Sequence, residues 1–101
     1  MGAIHSVKQM SQVVDNTSEH RLEIEEDGAI AFLTYRMRGE VVEYVHAETP
    51  PVLRGRGLAA ELTKFALDSD KTAGRRVIPS CPFVKMYIKR HPEFASLVHT
   101  G

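Results

Sequence analysis

Residues 45–60, VHAETPPVLRGRGLAA, decide the fold that we predict for this chain. An alternating stretch ends at two prolines, and a central strand cannot continue there because proline has no N–H to donate. Beyond the glycines, one apolar stripe recurs at helical spacing and is formed by Leu58, Leu62, Phe65 and Ala66. The segment therefore predicts a strand, then a loop, then a helix.

The loop has the composition of an anion-binding site. Gly55 and Gly57 let backbone N–H groups approach a ligand closely, and the free N–H groups and dipole of a helix start attract anions. Arg54 and Arg56 add positive charge, so a pyrophosphate is a natural ligand. A plain turn with solubilising arginines explains the same residues. The loop is neither a Walker loop nor the Gly-x-Gly-x-x-Gly fingerprint.

Upstream, the pattern predicts antiparallel strands. An alternating stretch from Arg21 enters a tight turn at Asp27-Gly28. Residues 29–38 and 41–48 continue the alternation, which gives three consecutive strands. Strict alternation in the third strand places Val42, Tyr44 and His46 on one face.

Downstream, Gly74 is expected to end the first helix. Residues 76–80 predict a short strand, which a helical crossover makes parallel to the third strand. Pro82 suits the first turn of a second helix, which Pro92 ends, with an optional last edge strand at residues 94–98. The predicted class is α+β, a three-layer α/β arrangement in which antiparallel strands precede a β-α-β-α unit.

Composition excludes several classes of protein. The chain has 101 residues, of which 43% are hydrophobic and 26% charged, as expected of one globular domain. Cys81 is the only cysteine, so no internal disulfide can form and a reducing, cytoplasmic compartment is expected. No apolar run is long enough to cross a bilayer. Residues 1–50 carry a net charge of −5 and residues 51–101 one of +5, and the neutral whole argues against nucleic acid.

The first residues have no decisive pattern. The apolar spacing within residues 7–14 fits a short docked helix, and a flexible tail fits as well. We expect residues 1–12 to be an N-terminal extension and residues 13–101 to form the domain. The opening Met1-Gly2 also fits a myristoylation pattern, which is short and common.

Several motifs together resemble one family. The loop, read as Arg54-x-x-Gly57-x-Ala59, resembles the Arg/Gln-x-x-Gly-x-Gly/Ala motif of the GCN5-related N-acetyltransferases. The likeness continues through a Cys-Pro-Phe segment at residues 81–83 and a His-Pro-Glu segment at residues 91–93. The likeness covers about residues 13–98. Over this range the chain resembles a small subfamily of minimal single-domain members.

The resemblance implies a domain that binds acetyl-CoA. The third and fourth predicted strands would separate to admit the pantetheine arm, and Lys85, Lys89 and Arg90 would meet the adenosine phosphates, although a solvated helix face explains these three as well. Acetyl would pass to an unidentified amine, either a small molecule or a protein lysine. The pyrophosphate would be held by backbone N–H groups of Arg54, Gly55, Arg56, Gly57, Leu58 and Ala59.

Three residues are candidates for the chemistry that the resemblance implies. Tyr87 matches the tyrosine that serves the broader family as general acid, and is otherwise a core aromatic. Cys81 could accept acetyl covalently or only line the pocket. His46 could be the base toward the acceptor or a structural histidine. No spacing of histidines and cysteine predicts a metal site.

Three functions stay open. The first is an acetyl-CoA-dependent N-acetyltransferase. The second is a module that binds acetyl-CoA or CoA without turnover, with acetylation of its own Cys81 as a variant; the sequence shows no counterpart of the N-terminal helices that shape the acceptor pocket in longer relatives. The third is an α+β interaction domain without a cofactor. One departure is that the subfamily's Thr-Glu-Val-Pro reads Ala-Glu-Thr-Pro at residues 47–50.

Overall fold

The computed structural model describes residues 12–100, which form one mixed sheet and two α-helices. Helix α1 spans Leu58–Ala73 and helix α2 spans Pro82–Arg90, and 3-10 turns at Pro51–Leu53 and Pro92–Leu97 follow β4 and α2. Four strands pair antiparallel in sequence order and β5 adds parallel to β4. The strands are β1 (Val14–Asn16), β2 (Arg21–Glu26), β3 (Ala29–Arg38), β4 (Val41–Glu48) and β5 (Arg76–Pro79).

The mixed sheet confirms the predicted α+β class, and the predicted β-β-β-α-β-α order is found from β2 onward, after the additional strand β1. The prediction of an optional edge strand at residues 94–98 is wrong. Phe94 and Leu97 are buried three residues apart within a 3-10 helix, so their spacing is helical. Of these five residues only Val98 forms a β-bridge, an isolated one to Val77. The helical interpretation of residues 7–14 is wrong at Val14, which lies in β1 and pairs with Glu23 of β2. Residues 7–11 lie outside the described part of the chain.

Burial alternates along β2 and β3 because one face of the sheet packs beneath α1. Leu22 lies opposite Leu33 and Ile24 opposite Ala31, and all four side chains are buried. The apolar stripe of α1 lies against this face. Each such leucine or isoleucine contributes about 1.5–3 kcal/mol on leaving water. The alternate residues of β2 and β3 are partly exposed on the other face.

A buried carboxylate ties the C-terminal half of α1 to the sheet. Asp70 is 1% exposed and accepts hydrogen bonds from the Tyr44 hydroxyl on β4, at 2.5 Å, and from Arg75 Nε, at 2.8 Å. Burial raises the pKa of Asp70, and the two donors oppose that rise. Gly74, at φ +75°, then ends the helix, as predicted. The network sets where α1 stops and where β5 starts.

Replacing Tyr44 with Phe is expected to lower the free energy of unfolding at pH 7 by about 1–3 kcal/mol, because the buried Asp70 loses one donor. Tyr35→Phe is the matched control and should cost less, since the Tyr35 hydroxyl donates to the exposed Asp15. Urea denaturation of the two variants and the parent protein measures the difference.

The loss in Tyr44→Phe should shrink toward acid pH. The folded pKa of Asp70 lies above its unfolded value of 3.8, so the folded state binds the proton more tightly. The contribution of Asp70 to stability is therefore largest once the pH has fallen toward 3.8. This contribution is lost as the pH rises through the folded pKa. A protonated Asp70 is also uncharged, so the fold loses less stability when the Tyr44 donor is removed. Equal losses in both variants, or a loss that grows in acid, would contradict this role.

Candidate functional site

The site begins where β4 and β5 separate. Their pairing ends at Tyr44 and Pro79, while β4 continues to Glu48. One further hydrogen bond, from the Cys81 N–H to the Tyr44 carbonyl oxygen at 2.8 Å, closes the paired region. The last four residues of β4 therefore face an opening at the carboxyl ends of two parallel strands, a common place for ligands in α/β sheets.

A β-bulge lies at the same level of β4. His46 pairs with Thr34 and Tyr44 with Tyr35, so Val45 is the extra residue opposite β3. The extra residue turns His46 to the opposite face of the sheet from Tyr44. The predicted strict alternation is therefore wrong here: Tyr44 is 3% exposed, whereas the His46 side chain is 59% exposed.

The predicted loop connects β4 to α1 and has the backbone geometry of a close-approach turn. Gly55 and Gly57 have φ values of +84° and +75°, which non-glycine residues rarely adopt. Gly57 is the N-cap of α1, and no side chain caps the helix start. Among the residues that the structure describes, the backbone N–H groups that begin α1 consequently have no side-chain acceptor.

The two loop arginines have different surroundings. Arg56 donates to Glu26 at 2.9 Å and lies 2.8 Å from Asp27, both at the β2–β3 turn, and these carboxylates raise its pKa. Arg54 donates to the Thr49 carbonyl oxygen at 3.2 Å and has no carboxylate partner within the described residues. The positive charge of Arg56 is therefore already balanced, and that of Arg54 is available.

A loop cavity of about 370 Å³ opens between this turn and α2. Phe83, in the first turn of α2, forms its far wall, which the sequence analysis did not assign to the site. The four-residue spacing of Phe83 and Tyr87, which places both on one face of α2, was the available signal. The cavity is lined by Thr49, Leu53, Arg54, Gly55, Gly57, Leu58, Ala59, Ala60 and Phe83.

Cys81 lies at the strand separation as the N-cap of α2. Its side chain is 2% exposed and its thiol is free. Its main chain is held at both sides, by the Tyr44 carbonyl oxygen and by the Lys85 N–H. Cys81 is not among the residues that line the loop cavity, and its two sequence interpretations, a pocket wall or an acetyl acceptor, stay predictions.

Tyr87 lies on the side of α2 that faces α1. Its ring stacks on His91 at a centroid distance of 3.9 Å, and burial raises the pKa of its hydroxyl, on which the charges of Lys64 and Asp68 also act. The ring contact supports the core-aromatic interpretation. The Tyr87 phenol is protonated at neutral pH even at its ordinary pKa of 10.0, and the rise does not change this state, which a proton donor requires.

His46 lies on the open face of the sheet. Its Nε2 atom is 2.9 Å from Glu48 Oε1, and its ring meets Phe32 edge-on at 6.4 Å. Within residues 12–100, no hydrogen bond or ring contact joins His46, Cys81 and Tyr87. The structure brings Cys81 to the separation and the predicted loop residues other than Arg56 to one cavity, and leaves His46 on the far face.

The basic residues of α2 are exposed. Lys85 and Lys89 are four residues apart, with Arg90 ending the helix. Their side chains make no ion pair within the described part of the chain. Residues 12–100 include no cluster suited to a metal ion. They also include no helix that is long and apolar enough to cross a bilayer.

Known proteins resemble this chain in fold or in sequence. The solution structure of a GCN5-like protein from Staphylococcus aureus superposes with a TM-score of 0.68 at 20% identity and covers 92% of both chains, so the two share a fold. Protein NATD1 from Homo sapiens is 35% identical over 63 residues, which are 61% of this chain and 56% of that protein. Protein NATD1 from Gallus gallus is equally similar, over 57% of its length. The match thus spans a little over half of these relatives.

The family itself follows from a match along most of the chain. The sequence model of a family described as GCN5-related N-acetyl-transferase matches residues 19–97, which include the glycine loop, the strand separation and both helices. This chain belongs to the GCN5-related N-acetyltransferase family.

Proposed function

We propose that the loop cavity binds acetyl-CoA and that the protein transfers the acetyl group to an amine. The observation that carries the proposal is an uncapped helix start that opens into a cavity next to the strand separation, with Thr49, just after β4, and Phe83, two residues after Cys81, in its walls. A pyrophosphate needs converging backbone donors without side chains in the way, which Gly55 and Gly57 provide.

The remaining walls also fit this ligand. Leu53, Leu58 and Phe83 form an apolar surface suited to a pantetheine arm. Within residues 12–100, no carboxylate pairs with Arg54, so we assign this loop cation to the phosphates. Lys85, Lys89 and Arg90 stay proposed as contacts to the adenosine phosphates, because they are exposed on α2.

Acetyl-CoA would supply its acetyl group as a thioester. In the transfer the amine nitrogen forms the new C–N bond, the C–S bond breaks, the amine loses a proton and the departing sulfur gains one. The protonated Tyr87 hydroxyl is our candidate donor to sulfur. His46, with Glu48 at its Nε2 atom, is our candidate acceptor of the amine proton.

A second function is favoured by Cys81, which is buried at the separation. Here the protein binds acetyl-CoA without an amine acceptor, and the Cys81 sulfur takes the acetyl group by thioester exchange. The proton of the Cys81 thiol then passes to the CoA sulfur. A free thiol also motivates our proposal of a cytoplasmic location.

The loop is tested by calorimetric titration of acetyl-CoA and CoA into the parent protein, Gly57→Glu and Gly39→Glu. Both glycines have positive φ and no atom within 4 Å of an added Cβ, so each variant pays a similar backbone cost of about 1–2 kcal/mol. Only Gly57→Glu should lose binding, because its carboxylate repels the phosphates. Failure of the parent protein to bind, or equal losses in both variants, would overturn the site.

The two loop arginines should respond differently to salt. Arg54→Gln is expected to weaken CoA binding, and the weakening should fade at high ionic strength because the lost charge is exposed. Arg56→Gln should show a smaller salt-dependent loss, since Glu26 and Asp27 already balance that charge. Titrations at two salt concentrations measure this, and a larger salt effect for Arg56→Gln would reverse the assignment.

Turnover separates the two functions. If Tyr87 protonates sulfur, Tyr87→Phe should lower kcat by about 10²-fold or more while the Kd for CoA stays unchanged. Mass spectrometry after incubation with acetyl-CoA should show one added acetyl group on Cys81 only under the second function. Cys81→Ala would remove that mass and leave amine acetylation intact under the first.

A further inference from the structure

A second cavity, of about 430 Å³, lies between the sheet and the C-terminal half of α1. Leu22, Met37, Val42 and Phe65 form its apolar walls, and Asp15 and Tyr35 stand at its polar side. None of its lining residues lines the loop cavity, which lies at the opposite end of α1. The second cavity is therefore separate from the proposed acetyl-CoA site.

Three of the four hydroxyl groups that line the second cavity donate to other groups of the protein, and the fourth belongs to Thr17. The Tyr35 hydroxyl donates to Asp15 at 2.6 Å, the Tyr44 hydroxyl donates to Asp70, and the Ser69 hydroxyl donates to the carbonyl oxygen of Phe65 at 2.8 Å. Each hydroxyl oxygen keeps lone pairs that can accept a hydrogen bond. The polar side of the cavity is thus rich in acceptors, with the Thr17 hydroxyl and the Arg75 guanidinium as the remaining side-chain donors.

The charge of the second cavity is negative. Arg75 Nε lies 2.8 Å from Asp70, so these two charges offset each other. Asp15 has no cation within salt-bridge distance in the described part of the chain, although the more distant Arg75 acts on it. The rings of Tyr35, Tyr44 and Phe65 add faces that attract cations.

We propose that the second cavity binds a small organic ammonium ion with an apolar body. The ammonium group donates to Asp15 and to the Tyr35 oxygen, and the body packs against Leu22, Met37 and Phe65. The volume is within the range of small-molecule sites. This proposal does not depend on acetyl-CoA binding.

The test uses three probes of similar size and different charge: 2-phenylethylammonium, 2-phenylethanol and phenylacetate. Each is titrated into the labelled protein while the amide signals of Asp15, Ser69 and Arg75 are followed by NMR. We expect saturable shifts, with the ammonium about tenfold tighter than the alcohol because it adds a charged hydrogen bond.

Two isosteric variants locate the charge. Asp15→Asn should weaken the ammonium about tenfold and leave the alcohol unchanged. Asp68→Asn makes the same charge change on the exposed side of α1 and should have no effect. Urea denaturation checks that both variants are folded.

Each contrary result overturns the proposal. Preference for phenylacetate would assign the cavity to an anion at Arg75, and equal binding of the three probes would show apolar contact alone. Absence of saturable shifts would show that the cavity binds none of these ligands. A titration of CoA into Asp15→Asn is expected to match the parent protein, which keeps the two sites distinguishable.

Discussion

The hydrogen bond from the Cys81 N–H to the Tyr44 carbonyl oxygen is the last link between β4 and the chain that leaves β5. Below it the two parallel strands pair, and above it they part. The opening exists because β5 ends at Pro79, whereas β4 runs on to Glu48. The same link holds Cys81 at the opening and fixes where α2 starts, so the walls of the loop cavity depend on it.

Helix α1 is anchored at one end and open at the other. In its C-terminal half, Asp70 is buried between Tyr44 and Arg75. Burial costs desolvation, but both side chains hydrogen-bond the buried carboxylate. At its start, Gly57 provides no side-chain cap. An anion at that start would meet free N–H groups on a helix whose other end cannot shift without breaking the Asp70 network. Such preorganisation lowers the ordering cost of binding.

Electrostatics at the loop depends on a contact across the fold. Arg56 and Glu26 are thirty residues apart in sequence and 2.9 Å apart in space, so the β2–β3 turn steadies the loop. The family relationship gives the shared architecture, but the different surroundings of Arg54 and Arg56 come from this turn. The bulge at Val45 acts in a similar way, because it decides which face of the sheet carries His46.

Local sequence patterns determined the strand–loop–helix order, the glycine turn, the end of α1 at Gly74 and the two-residue turn at Asp27-Gly28, because each depends on neighbours within a few residues. The three residues of β1 are too few to show a period, and only pairing with β2 makes them a strand. The bulge, the strand separation, the burial of Asp70 and the partners of Arg56 also required the tertiary structure. Sequence periodicity predicts which side chains are buried in the core, whereas the pairing register and the long-range contacts are determined only when the whole chain packs.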